Sequence, residues 1–471
     1  MLKPLYTIVP FIFEGVFYKL WQLTEEEKLE FIENKFYLEG LEGKLIQQET
    51  NNPKIYNGPF IIRRSSKAFE ITVFVPDMDP HSLIKNSMRN RLKNGSKIPD
   101  NYYYILEGRD LKGRKWYSSE FYPSYDIHIN YRGVLFKGTV QEIYFERKID
   151  SDNTNKIHLD FFNSFNIPAR EITEIIIRSG EREKKRATRN VWRFKDDDIS
   201  YTFTNEEYGL SVDVESNKTF PSYYIPCIVE TLCFVFVYYI SPSIEIERRH
   251  NNVKYLLRVL EKPGATPLLG PPIKLNHIDA PAIAKEMFIK YIRYISKNKS
   301  ELLHPISVEL LRVVRASQYS LDAQSLVVAV AVEAILQSQY PKIKISKEKN
   351  KEIDLAQKHI KNLDISSNLK KRLIGLVGAM KKSRPKDQLN QIKEREIINA
   401  EHIEAWERLR NIVTHGNIDD INFDERCSLC NMVSQLMYLL TFDLIGYKGI
   451  FTDYTKEGYP DLHFPFQTKN S

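Results

Sequence analysis

"KPGATPLLGPPIK", residues 262–274, gathers four prolines and two glycines into thirteen positions, a composition that neither a helix interior nor a central strand tolerates. The texture of the chain differs on its two sides. From about residue 55 to 220, apolar and polar residues alternate, Tyr, Phe, Ile and Thr are common, and Gly, Asn and Asp punctuate the runs, as strands and their turns require. "FEITVFVP", "NYYYILEGRD", "YRGVLFKGTVQEIYFER" and "NKIHLDFF" read as the clearest strands, and "EITEIIIRS" and "ISYTFTNEEYGLSVDVE" extend the set. No helical pattern is interposed regularly, so the expectation is an antiparallel sandwich or barrel and not a parallel α/β sheet. After about 278 the period becomes helical. "APAIAKEMFIKYIRYISKNK" is amphipathic, and "SLDAQSLVVAVAVEAILQSQYP" is apolar almost all round, which places it at the centre of a bundle. "LKKRLIGLVGAMKK", "NAEHIEAWERLRNIVTH" and "DERCSLCNMVSQLMYLLTFDLIG" supply three further helices. The expected fold class is therefore α+β, with a β-rich, sandwich-like domain over 1–275, transitional from about 222, and an all-α bundle over 276–471.

At 471 residues the chain is too long for one core, which agrees with two domains. A 42% hydrophobic and 27% charged composition describes a folded protein, and a net charge of +7 permits a polyanionic partner such as RNA without demanding one. Cys227, Cys233, Cys427 and Cys430 are too few and too unevenly placed for a disulfide framework, so a reducing cytoplasm is expected. Cys427 and Cys430 form a CxxC with no second pair at ligand spacing, and the expectation is no metal and no cofactor. "MLKPLYTIVPFIFEGVFYKL" contains prolines and a glutamate and lacks a small-residue cleavage site, so it does not read as a signal peptide. "TLCFVFVYYIS", 231–241, is near half the length of a membrane span and reads as a buried helix or strand, leaving no membrane partner expected. "RSGEREKKRATR" and "KKSRPKDQ" read as exposed basic loops or phosphate-contacting surfaces, the latter bringing Lys381, Lys382 and Arg384.

Chemistry concentrates in "ERLRNIVTHGN", residues 407–417. Asn399 is placed to cap this helix, Glu401 and Glu404 complement its positive end, and Gly416 suits the position after its last residue. At about 100° per residue, His402, Ala405, Trp406, Leu409, Ile412 and Val413 share one side. Asn411 and His415 stand off that stripe, about 40° from each other, and Arg410 lies on the other flank of the polar face. A satisfied core histidine is therefore a poor description of His415. An Arg-x4-His spacing is expected by chance about half a time in a chain with ten histidines, and an Asn directly after the Arg reduces the accident to a few per cent. Glu333, in the apolar "AVAVEAILQ", needs a hydrogen bond, a surface position, or a role in steering Arg410 or His415 from a neighbouring helix.

"RNIVTH", residues 410–415, resembles the RNxxxH motif of the HEPN (higher eukaryote and prokaryote nucleotide-binding) ribonucleases. An apolar helix ending "VEAIL" upstream, and a long last helix closing with "LIGYKGIFTDYTKEGYP", resemble the order found in ApeA-like HEPN proteins of bacterial anti-phage defence. The resemblance covers roughly 280–455 and leaves the first 275 residues without a motif. It implies metal-independent RNA cleavage with Arg410, Asn411 and His415 as catalytic residues, Lys381, Lys382 and Arg384 contacting RNA, and Glu333 in support. It also implies a homodimer that brings two motifs to one cleft; the N-terminal domain is expected to sense a trigger, such as a phage-derived one, or to restrain the nuclease. The rival reading is a non-catalytic HEPN-like module that dimerises or binds nucleotide; a third is a toxin held inactive by a nucleotidyltransferase.

Overall fold

The computed structural model describes residues 23–48, 51–78, 97–126, 133–149, 154–162, 166–169, 171–179, 182–238, 240–260, 266–298, 302–342, 346–381, 384–415 and 422–466, with the backbone alone for residues 25, 171–189, 414 and 415. The N-terminal stretch "MLKPLYTIVPFIFEGVFYKL" lies outside these residues. The chain divides into two compact units, one formed by residues up to 221 with 240–263, the other by 222–239 with 264–471. The segment after 222, expected to be transitional, thus splits: its helix belongs to the second unit and its strands to the first.

In the first unit, α1 (Glu25–Ile32) precedes β1 (Tyr37–Gln47), β2 (Ile55–Arg64), β3 (Phe69–Pro76), β4 (Tyr104–Arg109), β5 (Lys115–Ser118), β6 (Ser124–Asp126), β7 (Gly133–Val140) and β8 (Glu142–Lys148). Then come β9 (Asn155–Phe161), β10 (Glu171–Ser179), β11 (Arg182–Asp196), β12 (Ile199–Glu206), β13 (Gly209–Ser216), β14 (Ile244–Arg249) and β15 (Asn252–Arg258). Among the described residues all fifteen join one sheet in the order β10-β11-β12-β13-β9-β14-β15-β8-β5-β4-β1-β2-β3-β7-β6. Strict alternation makes β3 a strand with one wet face: Phe69, Ile71, Val73 and Val75 are buried, and the residues between them are not. The sheet curls. Tyr104 of β4 and Phe136 of β7 stand four places apart in the ladder, about 19 Å in a flat sheet, yet their ring centroids are 6.4 Å apart. Phe31, Phe36, Phe60, Phe69, Trp116 and Phe145 fill the enclosed core. Gly40 and Gly108 are required there, because a Cβ at either would lie 2.4 Å from a ring carbon of Phe60.

"RSGEREKKRATR" corrects the expectation of a loop: its described residues end β10 (178–179) and begin β11 (182–189), with Ile177 opposite Lys184 and Ile175 opposite Arg186. Charge suggested solvent, but the ladder partner decides the backbone.

The second unit contains α2 (Tyr224–Phe236), α3 (Ala280–Ile295), α4 (Pro305–Ser317), α5 (Leu321–Gln339), α6 (Lys347–Asn362), α7 (Ser367–Ala379), α8 (Pro385–Glu394), α9 (Ala400–His415) and α10 (Phe423–Ile445), followed by the short hairpin β16 (Ile450–Thr452) and β17 (Asp461–His463). The apolar run at 231–241 begins within α2, whose residues from Thr231 to Phe236 are all buried. Helix α5 is central, packed against α4, α9 and α10. Helices α5 and α10 are long and apolar enough by composition to cross a membrane, and in the fold they are core helices of this bundle. One stripe of α5 stays open: Leu326 and Val330 are 45% and 52% exposed. Tyr340 just beyond α5 donates to Asp443 (2.9 Å) and Leu440 O (3.0 Å) of α10, and Arg395 pairs with the same Asp443 (2.7 Å), so both neighbours of α9 are locked end to end.

Candidate active site

Helix α9 starts as its sequence requires. The Asn399 side chain accepts the His402 N–H (3.1 Å), and His402 Nδ1 accepts the Asn399 N–H in return (3.2 Å), a reciprocal cap that satisfies two donors at the helix start. His402, Ile403, Ala405, Trp406 and Leu409 are buried, and Trp406 Nε1 donates to Ala329 O on α5 (3.1 Å). Arg410, on the flank beside Trp406, and Asn411, opposite the buried stripe, are exposed. His415 is the last helical residue. Its side chain, Gly416 and Lys382 lie outside the described residues.

The cap makes His402 a structural group with a pH signature. Burial pushes its pKa down from 6.5 to about 4, opposed by the charge of Asp453. The unfolded chain therefore takes up the proton first, and stability is fully present above pH 7 and lost as the pH falls from about 6.5 towards 4. Between pH 7 and 5 the helical unit is expected to lose about 2 kcal/mol through this ring. His402→Gln, which keeps an acceptor at the cap and cannot titrate, removes that loss, as urea unfolding at the two pH values would reveal; an equal loss in the variant would assign it elsewhere.

Arg410 is held from two sides. Its Nε pairs directly with Glu333 Oε1 of α5, seventy-seven residues earlier, and its guanidinium lies 5.8 Å from the Trp406 ring centroid. The Arg410 side chain remains 45% exposed, so a phosphate can reach it. This contact is the hydrogen bond that Glu333 was expected to need, and it is also the one through which Glu333 would steer Arg410. The same face of α9 carries Glu407, which binds Lys386 of α8 (2.8 Å), and Arg408 pairs with Glu425 of α10. The α8 N-terminus, with Arg384 as its exposed cap residue and Lys386 two residues on, thus borders the polar face of α9. Lys381 sits at the end of α7 and pairs with Asp354 of α6 (2.5 Å), within the α6–α7 pair. The geometry adds Lys386 and Trp406 to the residues named from sequence. Lys386 stands inside "KKSRPKDQ" but carries no mark of its own there, and Trp406 reads from the period as core alone.

A partly exposed pair such as Glu333–Arg410 contributes under about 1 kcal/mol to stability. On the ribonuclease reading that the resemblance implies, Glu333→Gln should leave the melting temperature nearly unchanged while lowering RNA cleavage about ten- to a hundredfold through a misaimed guanidinium. The positioning role is read from a fall in kcat with little change in KM and partial recovery in Glu333→Asp. Full activity in Glu333→Gln would reduce the contact to surface chemistry.

The Cys427–Cys430 pair lies within α10, with Cys430 buried and its thiol pushed up to about 11 by that burial. Among the described residues, no three His, Cys, Asp or Glu side chains come together as a metal site would need. Compared with family models, curated proteins and solved structures, the chain matches none.

Proposed function

We propose that the helical unit is a HEPN-type endoribonuclease that cleaves RNA without a metal ion, in the cytoplasm of a bacterium as part of anti-phage defence, and that the sheet unit senses a trigger or restrains it. The observation that carries this reading is the exposed Arg410–Asn411 pair, off the buried stripe of α9, with Glu333 bonded to Arg410 and His415 ending the helix. Cleavage at a ribose needs the 2′-OH deprotonated, the 5′-oxygen protonated and the added charge on phosphorus stabilised. Arg410 supplies a permanent, forked cation for the phosphate. His415, one turn after Asn411 at the negative end of α9, supplies proton transfer. Asn411 holds the imidazole or the ribose. Arg384, Lys386 and Lys381 extend the positive charge towards the RNA backbone.

In-line cleavage sets the 2′-OH and the leaving 5′-oxygen on opposite sides of the phosphorus, where one histidine serves only one of them, so the proposal includes a second copy of the chain. Leu326 and Val330 support it: they share the face of α5 that carries Glu333, and a two-fold partner would cover them while bringing a second α9 to the same groove. Because side chains do the chemistry, cleavage of a single-stranded RNA is expected to persist in EDTA and to leave 2′,3′-cyclic phosphate ends. Activity abolished by EDTA and restored by magnesium, or 5′-phosphate products, would place the protein in another enzyme class.

A further inference from the structure

Among the described residues, the cation at the end of β2 has no counter-charge. Phe60, Ile62 and Arg64 are the buried positions of that strand, so Arg64 faces the same enclosed interior as the two apolar residues before it. The residue is only 9% exposed. Its Nε and Nη1 are sealed from solvent and have no hydrogen-bond partner among the described residues. Its guanidinium lies 3.8 Å from the ring centroid of Phe31 in α1. Three partly buried cations of this unit are built differently. Arg114 is paired with Glu27 (2.8 Å) and Asp110 (2.7 Å), Lys28 with Asp160 (3.1 Å), and Arg258 with Glu142 (2.5 Å) and Glu245 (2.7 Å).

A cation–π contact returns only a small part of the hydration that a guanidinium gives up on burial. The imbalance is visible in the titration of Arg64, which desolvation pushes down to about 10 with no opposing carboxylate. A strand that needed only to fill this position would do better with Leu or Met, whose burial is favourable. The backbone of Arg64 is fixed: its N–H donates to Phe36 O (2.8 Å), and the residue stands opposite Phe69 in the ladder. The backbone that carries the guanidinium is therefore fixed, and the guanidinium lies against the Phe31 ring.

We propose that Arg64 anchors a binding site for a small anion, a carboxylate or phosphate group, beneath Phe31 of α1. The fork of a guanidinium matches both groups through paired hydrogen bonds. The surrounding rings favour an anion with an apolar or planar body: Phe31 is 6.0 Å from Phe36, 6.0 Å from Phe69 and 5.7 Å from Phe162, centroid to centroid. Occupancy would supply the missing counter-charge and draw α1 and β2 together. The site belongs to the sheet unit and does not depend on the ribonuclease reading; in a protein of the proposed kind it would be where a small metabolite sets the state of the sensing unit.

The test is thermal unfolding of the full chain in titrations of benzoate and of inorganic phosphate, with chloride at matched ionic strength as control. Either anion is expected to raise the melting temperature of the sheet unit by about 5 °C near saturation. A response to benzoate alone assigns a carboxylate on an apolar body, and a response to phosphate alone assigns a phosphate. Arg64→Met should abolish the shift and, in chloride, melt no lower than wild type. Should that variant fail to fold, Arg64→Lys keeps the charge without the fork and should reduce the shift by at least half. No shift in wild type, or a shift kept in full by either variant, overturns the proposal.

Discussion

Under the proposed function, Arg410→Ala is expected to lower RNA cleavage about 10²–10³-fold, the usual loss when one preorganised donor to the reacting phosphate is removed. His415→Ala is expected to lower it about 10²–10⁴-fold, as befits a proton-transfer group. Neither substitution should unfold the chain. Arg410 is exposed, and its contact with Glu333 lies partly in water, so stability should change by under about 1 kcal/mol. The two variants mixed and allowed to exchange subunits provide the sharper measurement, because each mixed dimer holds one intact copy of each residue. Partial recovery of cleavage on mixing is the expected result. A folded double variant that cuts at the wild-type rate would remove the ribonuclease reading and leave a HEPN-like interaction module. A monomer cutting at full rate would remove only the shared groove.

The largest effect on stability should come from Trp406→Ala. The side chain is 3% exposed, and its indole donates to Ala329 O, so its removal opens a large cavity between α9 and α5. The expected loss is about 3–5 kcal/mol, which lowers the melting temperature of the helical unit by roughly 10 °C. Trp406→Phe fills most of the volume and loses only the hydrogen bond, about 1 kcal/mol. Urea unfolding followed by the helical signal distinguishes the two. A loss below about 1 kcal/mol in Trp406→Ala would contradict the packing of α9 on α5. Because Arg410 lies beside this ring, cleavage should also fall in Trp406→Ala, beyond the fraction that is unfolded.

Much of the motif helix is legible in the sequence. Asn399 caps it, Trp406 and Leu409 are buried, and Arg410 and Asn411 are exposed, all as the 100° period and the capping preference require. The strands "FEITVFVP" and "NKIHLDFF" appear as β3 and β9 for the same kind of reason. Helices α1, α4, α6 and α8 are absent from the sequence reading. Helix α6, "KEKNKEIDLAQKHIKN", buries Ile353 alone, so it lacks the apolar stripe on which such a reading depends.

Alternation, helical period and caps act over a few residues, and the chain by itself therefore determined the α+β division, the β3 face and the two sides of α9. Contacts between distant segments depend on how those faces meet, and no local pattern encodes that meeting. Only the tertiary structure decided that Glu333 would reach Arg410, that Lys386 would bind Glu407, and that the sheet would curl until Tyr104 met Phe136. It also decided that "RSGEREKKRATR" would pair as a strand and that Arg64 would turn inward, because a ladder partner fixes a backbone and its pleat whatever the side chain's charge prefers.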